Sequence, residues 1–272
     1  MKGRPFLLLA LFLLFFALPI VGALSFFKLQ DKEHLDHEGD PFPAALQFAR
    51  KDSHISLPNA PALNIAENDR VLFVSWFKLR KLPREGEKLF LFSKLDSNSK
   101  NLSGYVVALT KRGEAIRPTV YWKDEKGKGG WYLFSEIELM LGEWVMLAVS
   151  FYDNRILGAY SAVYRSGQLG KLIVAGGVDL EESIVPQTQA KFIIGSVEGT
   201  QFKGKVGPFC LFNFQDYAVL DLLKEILNSP WNLPESVDRS SLRFCSYDLK
   251  VDMSPYNHPI NYVVGTGSDS EE

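Results

Sequence analysis

The segment Glu136-Ile137-Glu138-Leu139-Met140-Leu141-Gly142-Glu143 is where paired carboxylates would do acid/base work. Retaining glycoside hydrolysis needs two carboxyl groups about 5–5.5 Å apart, one as nucleophile and one as proton donor. Glu136 and Glu138 are two positions apart, so on an extended strand they would share a face. Glu143 is seven positions beyond Glu136, past Gly142, and would face the other way. A solvent-facing polar edge explains the same residues and is the preferred reading. The chain has only four His, and no Ser/His/Asp or Cys/His arrangement can be picked out. The expectation is that the chain is not an enzyme.

A second candidate is the hairpin Val120-Tyr121-Trp122-Lys123-Asp124-Glu125-Lys126-Gly127-Lys128-Gly129-Gly130-Trp131-Tyr132. Aromatic pairs flank a polar, Gly-rich turn. Alternation sends Tyr121 and Trp122 to opposite faces, and likewise Trp131 and Tyr132. At least one ring per strand would face outward, suited to stacking on sugars or anchoring a protein partner. The plainer alternative is a cross-strand aromatic pair that stabilises the hairpin. The loop Asp96-Ser97-Asn98-Ser99-Lys100-Asn101 offers hard oxygen ligands of the kind calcium takes, but it lacks a second carboxylate and Lys94 and Lys100 flank it. An ordinary loop is the simpler account. Asn101-Leu102-Ser103 forms a glycosylation sequon, meaningful only in a eukaryotic secretory pathway. His34 and His37, three apart, lie in a charged stretch with no further ligands nearby and read as solvated, so no metal or cofactor is expected. Lys78, Arg80, Lys81 and Arg84 open a region richer in basic than acidic residues. That is a patch for anionic glycans or lipid headgroups, or simply a basic edge that discourages strand-to-strand aggregation.

Two cysteines, Cys210 and Cys245, are the whole complement. A disulfide and two separate buried thiols both fit. If bonded they close a loop of about 35 residues, contributing on the order of 3–4 kcal/mol in the chain-entropy model. Lys2 and Arg4 precede an apolar run over residues 6–18, Pro19 breaks it, and Val21-Gly22-Ala23 offers a cleavage site, the pattern of a secretory signal peptide. Apolar character continuing to Phe27 keeps a single uncleaved membrane anchor open. Either way the remainder lies outside the cytoplasm: secreted, periplasmic or at the cell surface.

The elements that must position these candidates are strands. The 272 residues are 46% hydrophobic and 23% charged, with net charge -2, which fits one globular domain and implies no general affinity for nucleic acid. Strand-like runs fall at 45–49, 54–57, 71–79, 88–95, 105–110, 116–122, 131–134, 144–152, 156–164, 172–175, 192–195 and 206–214, with turn signals between them, the pattern of a sandwich or barrel. The run 144–152 is apolar on both faces and predicts a central strand. Its first face is Val145, Leu147, Val149 and Phe151, the inter-sheet core. Its second face, Trp144, Met146, Ala148 and Ser150, must be covered by another element or line a groove. Residues 217–227 place Leu220, Leu223 and Leu227 at helical spacing, with Asn228-Ser229-Pro230 as the stop. Residues 28–43 read as a polar spacer and 229–264 as an extension packing on the sandwich, with a strand at 242–247. Residues 265–272 form a polar acidic tail with a disordered composition.

Over residues 44–228 the chain resembles the laminin-G-like, concanavalin-A-like family of β-sandwich modules. The resemblance rests on Ala45-Leu46-Gln47-Phe48, His54-Ile55-Ser56-Leu57-Pro58, Pro61-Ala62-Leu63-Asn64-Ile65, Val74-Ser75-Trp76-Phe77-Lys78, Leu91-Phe92-Ser93-Lys94 and Gly104-Tyr105-Val106-Val107-Ala108-Leu109. It continues through Gly142-Glu143-Trp144 with Leu147-Ala148-Val149, then Phe192-Ile193-Ile194-Gly195 and Phe202-Lys203-Gly204-Lys205-Val206-Gly207. It implies an all-β, antiparallel two-sheet jelly-roll with a short C-terminal helix. Met146 stands where many members carry His, and Gly207 where many carry Asp. Laminarinase-type glycosidases of this fold carry a third carboxylate four or five positions after the first, where this chain has Met140 or Leu141, and neither transfers a proton. The family includes sugar-binding, protein-binding and catalytic members, so fold alone assigns no activity. The expected function is a non-catalytic recognition module for glycans or, second, for an extracytoplasmic protein. The alternatives are a glycosidase or lyase with a different cleft, and a structural subunit of an envelope assembly.

Overall fold

Runs of β-branched and aromatic residues bounded by Gly, Pro and Asp build strands because such side chains pack well on a pleated surface. The structure is a computed structural model that describes residues 41–263, apart from 43, 49–52, 97–101, 154, 166, 181–182, 196–201 and 215–218. Of the two compact units of the chain, 1–32 and 33–272, all described residues belong to the second. The expected signal or anchor segment, His34 and His37, the core of the proposed calcium loop and the acidic tail lie outside the described residues. Among the described residues no helix is long and apolar enough to cross a membrane.

The result is an all-β sandwich of two antiparallel sheets. The first has the order β1 (Leu46–Phe48), β13 (Gly204–Asn213), β3 (Arg70–Leu79), β8 (Trp144–Tyr152), β9 (Ile156–Arg165) and β10 (Gln168–Leu169). In this sheet β11 (Ile173–Asp179) also pairs β9, and β14 (Leu242–Ser246) also pairs β13. The second sheet runs β15 (Asn261–Val263), β2 (His54–Leu57), β12 (Phe192–Gly195), β4 (Lys88–Leu95), β5 (Gly104–Arg112), β6 (Ala115–Lys123) and β7 (Gly129–Leu133). β1 and β14 share one edge of β13. The register of β13 against β3 shifts between Val206 and Phe209, across Gly207-Pro208. Pro cannot donate to a ladder, so a bulge there is its natural place.

Strand β8 is central, and its two faces enter two different cores. Val145, Leu147, Val149 and Phe151 join Phe73, Phe92, Tyr105, Trp122, Phe192 and Phe209 between the sheets. Trp144, Met146 and Ala148 join a second apolar cluster outside the first sheet. The covering element is helix α1 (Val219–Asn228), which buries Val219, Leu222, Leu223, Ile226 and Leu227. That is the i, i+3, i+4, i+7, i+8 stripe of an amphipathic helix. Leu220, expected on the buried stripe, is instead 43% exposed. The helix packs in the phase set by Val219, and the next residue around is turned about 100° away from it.

The stretch after α1 is woven into the sandwich. β14 adds to the first sheet and β15 to the second, so residues 242–263 tie the two layers together. Cys210 and Cys245 are direct partners in the β13–β14 register and form a disulfide. Asp252 is buried and accepts from the backbone N–H groups of Cys245, Ser254 and His258 and from the Ser254 hydroxyl. Arg243 pairs with Asp69 at 2.8 Å and donates to the Asn64 carbonyl. These bonds satisfy polar groups that a buried irregular segment would otherwise leave unpaired.

Candidate functional site: an aromatic face on the open sheet

Among the described residues α1 covers the outside of the first sheet, and the outside of the second sheet, where Trp131 and Leu133 are exposed, is the open face. Its hairpin β6–β7 is set by the turn that joins it. The Asp124 N–H donates to the Lys128 carbonyl, the Asp124 carboxylate accepts from the Lys128 N–H, and the Gly127 N–H donates to the Asp124 carbonyl. Gly129 follows with φ of +103°, and a Cβ there would lie 2.0 Å from the Trp122 carbonyl oxygen. Only glycine fits that approach. The resulting register puts Tyr121 opposite Trp131, Trp122 opposite Gly130 and Val120 opposite Tyr132.

This register divides the four predicted aromatic residues. Trp131 is 41% exposed on the outer face. Its ring sits 5.1 Å from Tyr121 and 6.1 Å from Phe90 of β4, both tilted. The Lys88 ammonium lies 4.8 Å over the Trp131 ring centroid, a cation–π contact. Beneath the rings are Val106 and Ala108, small residues of β5 that are fully buried although they point outward. Tyr121 donates its hydroxyl to the Leu102 carbonyl at 3.0 Å, and burial pushes its phenol up, so it stays a neutral donor. Leu133 extends the patch, 41% exposed.

Trp122 is corrected as a binding residue. It is fully buried, stacks on Phe151 at 3.8 Å and donates its indole N–H to the Ile184 carbonyl. It faces the inter-sheet core because it alternates with Tyr121. Tyr132 alternates with Trp131 and turns inward, half-buried against the same core. Tyr121 is itself nearly buried and acts as the wall of the platform more than as contact surface. Lys88 and Phe90 were not expected at this site. They come from β4, and no local pattern joins them to the hairpin; the strand order β4-β5-β6-β7 does.

The carboxylate candidates are not assembled as a strand pair. Residues 135–136 form a turn, and the following segment pairs with the β6 backbone at an isolated bridge between Ile116 and Leu139. Glu138 pairs with Arg117 at 2.9 Å, and Glu143 with Arg165 at 2.9 Å. Met140 and Leu141, at the third position, are exposed apolar side chains. Among the described residues there is no group of three or more His, Cys, Asp or Glu placed to hold a metal.

No protein-family model and no curated protein matches this sequence. The laminin-G-like resemblance therefore stands at the level of an antiparallel β-sandwich. Solved structures with a similar layout include the binding domain of botulinum neurotoxin serotype D, at 13% identity and a TM-score of 0.47, over 68% of this chain and 42% of that one. The binding domain of Paraclostridial Mosquitocidal Protein 1 is similar at 12% identity and a TM-score of 0.47, over 70% of this chain and 47% of that one. The enzymatically active domain of bacteriophage CBA120 tailspike protein 2 is similar at 11% identity and a TM-score of 0.46, over 74% and 34%. The chain spans less than half the length of each of these structures. At these identities the likeness is one of layout, and the chain's own geometry defines it as a two-sheet, all-β sandwich with one open sheet face.

Proposed function

We propose that this chain is an exported, non-catalytic recognition module that binds its ligand on the outer face of the second sheet. Trp131 carries the reading: a large ring, 41% exposed, held in place by Phe90, Tyr121 and Lys88 on a rigid sheet. A fixed aromatic plane beside a cation suits a sugar ring, whose C–H face stacks on it while its hydroxyls reach the polar rim. Glycans are the first ligand class and proteins the second. The N-terminal apolar run and the disulfide support a location outside the cytoplasm.

The test is a glycan array probed with wild type and Trp131→Ala, together with incubation of the wild type with any glycan that binds. The expected result is retention of specific glycans by wild type, loss in the variant, and no change in glycan chain length. Turnover lost in Glu136→Gln or Glu138→Gln would overturn the proposal in favour of a glycosidase or lyase. Stoichiometric protein partners with no glycan retained would move it to the protein-binding class.

A further inference from the structure

A second surface lies at one end of the sandwich, beyond the Lys88 edge of the aromatic platform. Four segments are stitched together there. The Gly142 N–H donates to the Leu79 carbonyl, and the Arg80 N–H to the Lys203 carbonyl. The Gly86 N–H donates to the Lys111 carbonyl, and the Glu85 carboxylate accepts from the Gly113 N–H. These bonds bring the β3–β4 loop, the β5–β6 turn, the approach to β8 and the start of β13 to one tip.

The tip combines two properties. Residues 78–87, 111–114, 139–143 and 203–205 carry eight Lys and Arg against four Glu, in a chain whose overall charge is -2. Arg80, Lys81, Arg84 and Arg112 are exposed, and three of the four acids beside them are already engaged: Glu85 and Glu87 with backbone N–H groups, Glu143 with Arg165. Set among these cations are Leu82, Met140 and Leu141, exposed by 41%, 46% and 44%. None of the three belongs to an apolar core cluster of the domain. The chain also enters the sandwich at this end, where Phe42 packs against Trp144 at 4.8 Å.

We propose that this tip docks on a bilayer containing anionic phospholipid, with Leu82, Met140 and Leu141 entering the headgroup region and the surrounding Lys and Arg lying over the phosphates. The charge term alone would fit a sulfated or carboxylated glycan equally well. The three apolar side chains decide for a bilayer, because they gain only from an apolar phase. Each basic residue near such a surface adds roughly fivefold to partitioning. Docking by the tip would leave the sheet face bearing Trp131 alongside the membrane and open to ligand.

The test uses the full chain with Met140→Cys labelled by an environment-sensitive fluorophore. No free cysteine competes among the described residues, and Cys210 and Cys245 are bonded to each other. The label reports the tip itself, so attachment through the N-terminal segment cannot mimic the signal. Phosphatidylglycerol-containing vesicles are expected to blue-shift the probe and expose it to lipid-borne quenchers, while pure phosphatidylcholine vesicles are not. Adding Arg80→Glu, Lys81→Glu and Arg84→Glu should weaken the response by about a hundredfold or more in lipid concentration. A probe that stays aqueous on anionic vesicles to which the chain is attached overturns the proposal. So does an equal response on neutral vesicles, or protection by heparin with no response on vesicles, which would assign the patch to an anionic glycan.

Discussion

Lys94 gives the sharpest test of how the scaffold is held. It is fully buried on β4 and meets no carboxylate among the described residues; its ammonium donates to Asn59 Oδ1 at 2.7 Å and to the carbonyls of Thr188 and Ala190 at 2.7 and 2.9 Å. Three donors meet three acceptors, so the residue pins residues 59 and 188–190 across one end of the sandwich. Lys94→Met keeps the aliphatic stem and removes the charge. Asn59 is exposed and can turn to water, but the two carbonyls lose their donor, at about 1–3 kcal/mol each. Relief of the ammonium's burial cost offsets part of this, so the expected net loss is about 3 kcal/mol. Burial also pushes the Lys94 ammonium down from 10.5 to about 8. Between those values the unfolded chain binds the proton and the folded chain releases it, so wild-type stability contributed by this group rises with pH. Urea denaturation followed by tryptophan fluorescence, on wild type and Lys94→Met at about pH 7 and about pH 9.5, isolates the Lys94 contribution by difference. The gap between the two proteins should be present at neutral pH and wider at the alkaline one. A variant as stable as wild type at neutral pH, or a gap that narrows as pH rises, would refute the account of Lys94.

Other expectations follow from the same geometry. Gly129→Ala sets a methyl against the Trp122 carbonyl at a left-handed φ, and should cost about 2 kcal/mol or more with faster amide exchange in β7, read by hydrogen exchange. Cys210→Ser with Cys245→Ser opens the loop of 35 residues, and should cost about 3–4 kcal/mol in the chain-entropy model, visible as a lower urea midpoint. Leu220→Ser on the outer side of α1 should change stability by less than about 0.5 kcal/mol, whereas Leu223→Ala should cost about 2–5 kcal/mol, because only the second faces the cluster under the helix.

Much of the fold was legible because period-two alternation is a local property. The run 144–152 declares both of its faces apolar, and the structure supplies a core for each: the opposite sheet for Val145 and its partners, and α1 for Trp144, Met146 and Ala148. Alternation likewise sent one ring from each hairpin strand outward. It could not say which ring, since that depends on the pairing of Tyr121 with Trp131 against the rest of the sheet. Long-range pairing explains the other gaps. β15 is a three-residue strand whose existence rests on its partner Ile55, some two hundred positions earlier, and on nothing in its own sequence. Lys88 and Phe90 join the platform across two intervening strands. Leu220 was misplaced because several leucines at mixed spacing allow more than one helical phase, and the sheet beneath chooses one. The disulfide was undecided in the sequence for the same reason: two cysteines become partners only once β13 and β14 are registered.

The central claim is that ligand is recognised on the open sheet face through Trp131. Titrating a glycan retained by the wild type into wild type, Trp131→Ala and Leu220→Ser tests it most directly, with the folding of both variants checked by cooperative urea transitions. A central aromatic anchor accounts for about 2 kcal/mol or more of binding, so Trp131→Ala should weaken affinity about thirtyfold while Leu220→Ser leaves it unchanged. Equal affinity for wild type and a folded Trp131→Ala would contradict the account and leave the platform as hairpin packing alone.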